Sequence, residues 1–490
     1  MFVGRNQELD LLEETYESEA FGCVVIYGRR RVGKTSLINQ FLRNKEYAYF
    51  FTAQQTLAKE NLEGLSASLS PLIKPYPDAG LYPDTIYPDL TPSPTYPIYR
   101  SFEEAIAAIF ELSLREHCIF VVDEYPYLAE SYKGISSLLQ TFIDRYKNRS
   151  KMLLILCGSS MSFMEHQVLG EKSPLYGRRT GQIKVEPFNV FDAAKMLNGA
   201  TPEQIVELYS LVGGVPLYLD QLNPNKSTEW NIANRVLRKG SFLEAEPQNF
   251  LSQEVRKPAT YSAVISAIAN GAVRAKEIAD QVGVEQAMIH PVLRTLEDLR
   301  IVEQKTPIAS NKKRQTRYEI ADNLFAFWYS FVPRYATSLD AGMADAVTSA
   351  IMQKEFPTYV GPVFEKICQQ WLVREMRRGH IEMLPKAIGS WWGTNPVTRQ
   401  QEEIDIVAEG SDGELLFGEC KWRNAPVDSD VLDLLIERAS LLTAGKKTFY
   451  LFSKAGFTDR CVAAAESRAD VVLVSVGEMF EKEPCTTAAF

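Results

Sequence analysis

The run GRRRVGKTS, Gly28 to Ser36, fits the pattern G-x-x-x-x-G-K-[ST]. In such a loop backbone N–H groups turn inward on a phosphate, the lysine reaches the β- and γ-phosphates, and the hydroxyl ligates Mg2+. Candidate phosphate-binding residues are therefore Gly28, Arg29, Arg30, Arg31, Val32, Gly33, Lys34, Thr35 and Ser36. A second run, FVVDEYPYL, ends an apolar stretch in Asp123 and Glu124. Beside a phosphate loop, Asp123 is placed to join Thr35 at the Mg2+, and Glu124 to activate a water for attack on the γ-phosphate. A third set is Asp405 in EEIDIV with Glu419 and Lys421 in FGECKW. Two carboxylates that converge repel each other unless a cation joins them, and a lysine beside them can orient a metal-bound water or stabilise developing phosphate charge. Asp405 and Glu419 are thus candidate ligands of a second Mg2+.

These groups need elements to hold them. CVVIY reads as a buried strand and SLINQFL as the start of an amphipathic helix, so the first loop lies between strand and helix. A strand neighbouring the first is expected to end in Asp123, and KMLLILCGSS reads as a third, ending in Ser159 and Ser160. Near the C-terminus, EEIDIV and ELLFGECK flank GSDG as a hairpin. A three-residue loop, Ser411 to Gly413, sets Asp405 across from Glu419, whereas a two-residue loop would set it across from Cys420 among apolar side chains. Strand alternation then predicts Ile404 and Ile406 on one face and Asp405 and Val407 on the other. It also predicts Cys420 pointing inward and Glu419 and Lys421 outward. Upstream, GPVFEKICQQWLVREMRRG predicts a helix with Pro362 in its first turn, an apolar stripe of Phe364, Ile367, Cys368, Trp371 and Leu372, and Glu365 beside that stripe.

The chain has 490 residues, enough for about three domains. A 46% hydrophobic and 23% charged composition suits buried cores. No apolar run approaches the ~18–20 residues of a membrane-spanning helix. MFVGRNQELD lacks the apolar stretch of a secretory signal, and a cytoplasmic location without a membrane partner is the expectation. Seven cysteines without a Cys-x-x-Cys, and four scattered histidines, argue against a disulfide framework and a zinc site. A net charge of −9 leaves room for local basic patches only. Pro71 to Arg100 is crowded with proline and tyrosine and reads as an insertion.

Between Pro258 and Asp322, three short amphipathic helices precede two short strands around VEQK and TRYEI, with a turn at Gly283. This is the order of a winged helix. Two uses stay open: a DNA-reading module with Lys312, Lys313, Arg314 and Arg317 on phosphates, or a rigid packing module. LFAFWYSFVPRY, which follows, reads as core packing between domains.

Taken together, FVGRNQELDLL, the phosphate loop, VVDE, LCGSS, SPLYGRR and LVGGVPLYL resemble the STAND-clade AAA+ ATPases of archaea and bacteria. The resemblance implies that the opening Val-Gly-Arg segment packs near the adenine and that Ser159 or Ser160 senses the γ-phosphate. It implies an arginine finger at Arg178 or Arg179, unless these are surface arginines, and a helical lid whose Gly-Gly-Val-Pro segment includes Pro216. No Asn-Lys-x-Asp guanine box is present, so ATP is the expected nucleotide. Asp405 with Glu419-x-Lys421 resembles the PD-(D/E)xK nuclease superfamily, with Glu365 matching a helix glutamate of that group and Ile404 standing where proline is common. GSWWG, EEIDIV and GECKW also resemble a nuclease-like domain attached to such ATPases.

The expected fold class is α/β. A P-loop parallel sheet (1–190, with the 71–100 insertion) carries a helical lid (191–257) and is followed by a winged helix (258–322). A helical linker (323–358) leads to an α/β restriction-endonuclease-like domain (359–490). The expected function is an ATP-hydrolysing protein that couples nucleotide state to DNA-associated action of a Mg2+-dependent nuclease-like domain. The alternative is a nucleotide-dependent switch or scaffold with a non-catalytic C-terminal domain. ATP, Mg2+, double-stranded DNA and a protein partner or second copy are the expected ligands and partners.

Overall fold

The computed structural model describes residues 2–70, 99–308 and 316–481. Most of the 71–100 segment, and Lys312, Lys313 and Arg314, lie outside the described residues. The chain forms two compact units, Met1–Pro187 and Phe188–Phe490. No described helix is long and apolar enough to cross a membrane.

The first unit is built on five strands: β1 Gly22–Tyr27, β2 Ala48–Thr52, β3 Cys118–Asp123, β4 Met152–Gly158 and β5 Gly181–Lys184. They pair in parallel in the order β2-β3-β4-β1-β5. A parallel sheet is covered on both faces, which is why GCVVIY, CIFVVD and MLLILCG are buried throughout and apolar but for Asp123 at the end of β3. Alternation divides them between two cores. Cys23, Val25, Phe120, Val122, Leu154 and Leu156 enter one, while Val24, Ile26, Ile119, Val121, Ile155 and Cys157 enter the other. β3 does not neighbour β1 as expected, because β4 is inserted between them. Helix α1, Lys34–Leu42, follows β1 directly across the glycine loop.

The second unit holds a three-helix group, α2 Pro258–Ala269, α3 Ala275–Val282 and α4 Gln286–Asp298. Gly283 ends α3 with φ of 77°, a left-handed cap that favours glycine. The hairpin β6 Val302–Lys305 and β7 Arg317–Ile320 follows. Helix α5, Asn323–Phe331, buries Leu324, Phe325, Phe327, Trp328 and Phe331, the core role its aromatics predict.

Helix α6, Phe356–Arg377, is longer than expected. Pro357 occupies its first turn and Pro362 lies in its interior, where the missing N–H removes one i to i−4 bond. A five-stranded mixed sheet completes the unit: β8 Pro385–Thr394, β9 Gln401–Gly410, β10 Leu415–Lys421, β11 Lys447–Ser453 and β12 Val471–Ser475. Their order is β12-β11-β10-β9-β8; β8, β9 and β10 form an antiparallel meander, and β10, β11 and β12 are parallel. Helices α7, Ser429–Ala439, and α8, Asp459–Glu466, make the crossovers.

The β9–β10 register is the expected one as far as Ile406–Gly418, where the ladder ends one step short of the expected Asp405–Glu419 pair. Gly410 donates to Glu414 O at 3.0 Å, closing the Ser411–Gly413 loop, and Phe417 pairs with Val407. Alternation fails one step later. Gly389 pairs with Val407 but Trp391 pairs with Ile404, so β9 carries an extra residue at a bulge. Ile404 and Val407 therefore enter the same core, contrary to the alternating expectation, and Asp405 sits at the irregularity. Glu419 is not outward either; it is 5% exposed. Helices cover both faces of β10: Phe364 of α6 packs on Trp422, just past the strand end, and α7 closes the side with Leu415 and Phe417.

Candidate functional site

In the first unit the loop between β1 and α1 is shaped by backbone that other residues resist. Gly33 has φ of 90°, and a Cβ on Gly28 would run into the Val185 carbonyl. Lys34 is buried and donates from Nζ to Gly28 O at 2.9 Å and Arg29 O at 3.0 Å, so its ammonium spans the loop. Burial pushes its pKa down, against the pull of Cys157, Glu124 and Asp123 nearby. Val32 is buried beneath the loop, while Thr35 and Ser36 are exposed at the start of α1. Arg5 braces the loop from outside, donating from Nη2 to Val32 O at 3.1 Å and Glu186 O at 2.5 Å. Arg30 donates to the Tyr127 hydroxyl at 2.6 Å, a partner that sequence spacing does not reveal.

Thr35 Oγ1 donates to Asp123 Oδ2 at 3.1 Å, across the gap that β4 opens between β1 and β3. A hydroxyl and a buried carboxylate are hard oxygen donors of the kind Mg2+ takes alongside phosphate and water. Asp123 Oδ1 accepts the Glu124 N–H at 3.0 Å. Glu124 has φ of 50°, left-handed for a non-glycine residue, which turns its side chain off the end of β3. There its Oε2 accepts from Ser159 Oγ at 2.9 Å, at the end of β4. Ser159 is thus a positioning residue for the acid. Arg178 forms a fork on Asp144, Nε to Oδ1 at 3.0 Å and Nη2 to Oδ2 at 2.7 Å, and Arg179 donates to Gln182 at 3.1 Å. Arg178 is held by Asp144, whose carboxyl it keeps below its ordinary pKa. Pro216 begins a short helix of the second unit, Pro216–Leu219.

In the second unit, Asp405, Glu419, Lys421 and Glu365 gather where β9 bulges beside β10 and α6. Asp405 Oδ2 accepts the Cys420 N–H at 2.9 Å, and Lys421 Nζ donates to Glu419 Oε1 at 2.6 Å. Arg438 of α7, which sequence reading does not single out, approaches Glu419 Oε1 at 3.8 Å and donates to Glu402 at 3.1 Å. The other oxygen, Glu419 Oε2, is buried without a hydrogen-bond partner. Burial, then the Glu419 charge, pushes Asp405 up to about 6. Burial, then Asp405, pushes Glu365 up to about 8. Burial opposes the Lys421 ammonium, but Glu419 more than offsets it and the pKa rises. No group of three or more His, Cys, Asp or Glu among the described residues is arranged to hold a metal ion. The donors that fit a divalent cation are the Asp405 carboxylate and the orphaned Glu419 Oε2, hard oxygens of appropriate charge.

The comparisons with known proteins agree with this architecture. A family model described as an ATPase domain predominantly from Archaea matches residues 2–222. The Methanocaldococcus jannaschii protein MJECL04 is 30% identical over 434 residues, 88% of this chain and 89% of that one. The chain belongs to this archaeal ATPase family. A second M. jannaschii protein, the ATP-binding protein MJ0423, is 50% identical over 46 residues, 9% of this chain and 78% of its relative. Among solved structures, the Walker-type ATPase PABY2304 of Pyrococcus abyssi superposes with a TM-score of 0.50 at 23% identity, over 67% of this chain and 96% of its own. That similarity shows a shared fold. A further model, described as archaeal and bacterial proteins of unknown function, matches residues 328–432 and so includes Glu365, Asp405, Glu419 and Lys421.

Proposed function

We propose that this archaeal-type ATPase hydrolyses ATP and uses the nucleotide state to control DNA-associated action of a Mg2+-dependent, nuclease-like C-terminal domain. The observation that carries hydrolysis is the Thr35–Asp123 contact at 3.1 Å with Glu124 next in sequence, held by Ser159. Lys34 and the loop N–H groups bind the phosphates; Thr35 and Asp123 would hold Mg2+, which neutralises charge on the β- and γ-oxygens; Glu124 takes a proton from the attacking water. A charge-assisted hydrogen bond of the Lys34 kind is worth about 1.5–3 kcal/mol, so Lys34→Ala is expected to weaken ATP binding by roughly tenfold to a hundredfold. Titration of a fluorescent ATP analogue reads this directly. Unchanged affinity would remove the loop from nucleotide binding.

Support for the C-terminal reading comes from the Cys420 N–H bond to Asp405 Oδ2, which sets Asp405 beside Glu419-x-Lys421, from the meander β8-β9-β10 with crossover helices, and from the orphaned Glu419 Oε2. The Lys421 contact on Glu419 favours the second reading, a scaffold in which the lysine stands where a cation would otherwise sit. A pH series separates the two. Carboxyls raised to about 6 and about 8 bind more protons folded than unfolded, so their contribution to stability is full at low pH and is lost as pH rises through those values. A cation held by the ionised carboxylates opposes that loss. Mg2+ should therefore raise the melting temperature more at pH 8.5 than at pH 5.5 in the Lys34→Ala background, where the nucleotide site is disabled. A Mg2+ shift that is absent at both pH values would favour the scaffold.

A further inference from the structure

Of the hairpin cations that a winged helix would offer to phosphates, Arg317 is the described one, and in this fold it faces protein. Arg317 lies 4.4 Å from the Trp392 ring centroid and 3.4 Å from the Glu403 carboxylate, both on the C-terminal sheet. Lys305 pairs with Glu319 at 2.8 Å. Glu303 and Glu319 stand directly across the hairpin, an unfavourable pairing of like charges. Lys366 of α6 resolves it by reaching both, at 2.8 Å and 2.6 Å. Just beyond β6, Ile308 donates its N–H to Ser390 O at 3.0 Å on strand β8 and packs into the core of the C-terminal sheet. The hairpin is therefore fastened at three places: an ion-pair bridge to α6, a cation on Trp392, and a backbone bond to β8.

We propose that docking on the C-terminal domain and DNA binding by the β6–β7 hairpin are mutually exclusive, so that the described state is autoinhibited for DNA and its release exposes Arg317 to phosphate. Glu403 stands in for the phosphate: it offers an anion to the guanidinium that duplex DNA would otherwise contact. The inference rests on the DNA-associated reading above and adds its regulation. The bridge at Lys366 is the point of control, because without it Glu303 and Glu319 lose the cation they share.

Binding of a fluorescein-labelled duplex to the full chain, followed by anisotropy across a salt series, tests this. Lys366→Met removes a cation, which by itself weakens DNA binding; release of the hairpin predicts the opposite, an affinity gain of about fivefold, the worth of one partly exposed ion pair. The slope of log affinity against log salt should steepen by about 0.9, one additional phosphate contact. The converse variant locks the hairpin. A Cβ on Gly389 would lie 3.2 Å from Ile308 Cγ1, close enough for a disulfide in Ile308→Cys/Gly389→Cys. Oxidised, this variant should bind DNA more weakly than wild type, and dithiothreitol should restore binding. An oxidised lock with wild-type affinity and slope would overturn the proposal even if Lys366→Met failed to fold. Wild-type protein, Lys366→Met and reduced lock that all fail to bind duplex would overturn the DNA reading and this inference with it; binding in wild type with both variants unchanged overturns the inference alone.

Discussion

Glu124→Gln is expected to stop ATP turnover while leaving ATP bound, lowering kcat by about 10²–10⁴, the usual contribution of a positioned general base. The substitution keeps the shape and the hydrogen bond from Ser159 Oγ, which an amide oxygen accepts as well as a carboxylate. What it removes is the ability to take the water's proton. Binding should persist because Lys34, Thr35 and Asp123 are untouched. Single-turnover hydrolysis and nucleotide retention on a desalting column measure the two effects separately. Equal kcat in variant and wild type would leave Glu124 as a structural acid at a strand end, and the assignment of the water-activating role would be lost.

Asp405→Asn and Lys421→Ala carry the other large effect. Each removes a charge from the C-terminal cluster, and loss of one electrostatic stabiliser at a phosphoryl centre costs about 10²–10³ in rate. Mg2+-dependent cleavage of duplex DNA by wild-type protein should fall by that factor in either variant. Lys421→Ala has a second readout, since it frees Glu419 Oε1 from its 2.6 Å partner and leaves Arg438 as the nearest described cation to that oxygen. If Lys421 acts in cleavage, Mg2+ binding survives or strengthens while cutting is lost. If the lysine replaces the cation in a scaffold, Mg2+ binds only after its removal and no cutting appears in any variant.

Part of the molecule was legible in the residues themselves. The glycine loop follows from its spacing, and the buried strands β1, β3 and β4 follow from unbroken apolar runs, because both features are local: a few consecutive side chains decide them. The β9–β10 register followed from a single choice of loop length, since a one-residue slip would exchange the faces of the whole strand. The three helices and hairpin of the middle segment were visible for the same reason, each element carrying its own periodicity.

Tertiary structure decided the rest. That β4 separates β1 from β3 is a property of sheet order, which no strand encodes alone. The bulge at Asp405 arises because β9 must satisfy β10 on one side and β8 on the other, so alternation inferred from β9 and β10 alone wrongly separated Ile404 from Val407. Glu419 is buried because helices cover both faces of its strand, where the sequence pattern suggested one. Arg317 meets Glu403, Arg178 meets Asp144, and Ser159 meets Glu124 across long stretches of chain. Such pairings are set by how elements pack, and the sequence by itself determined the reactive groups and their strands but not which partners would hold them.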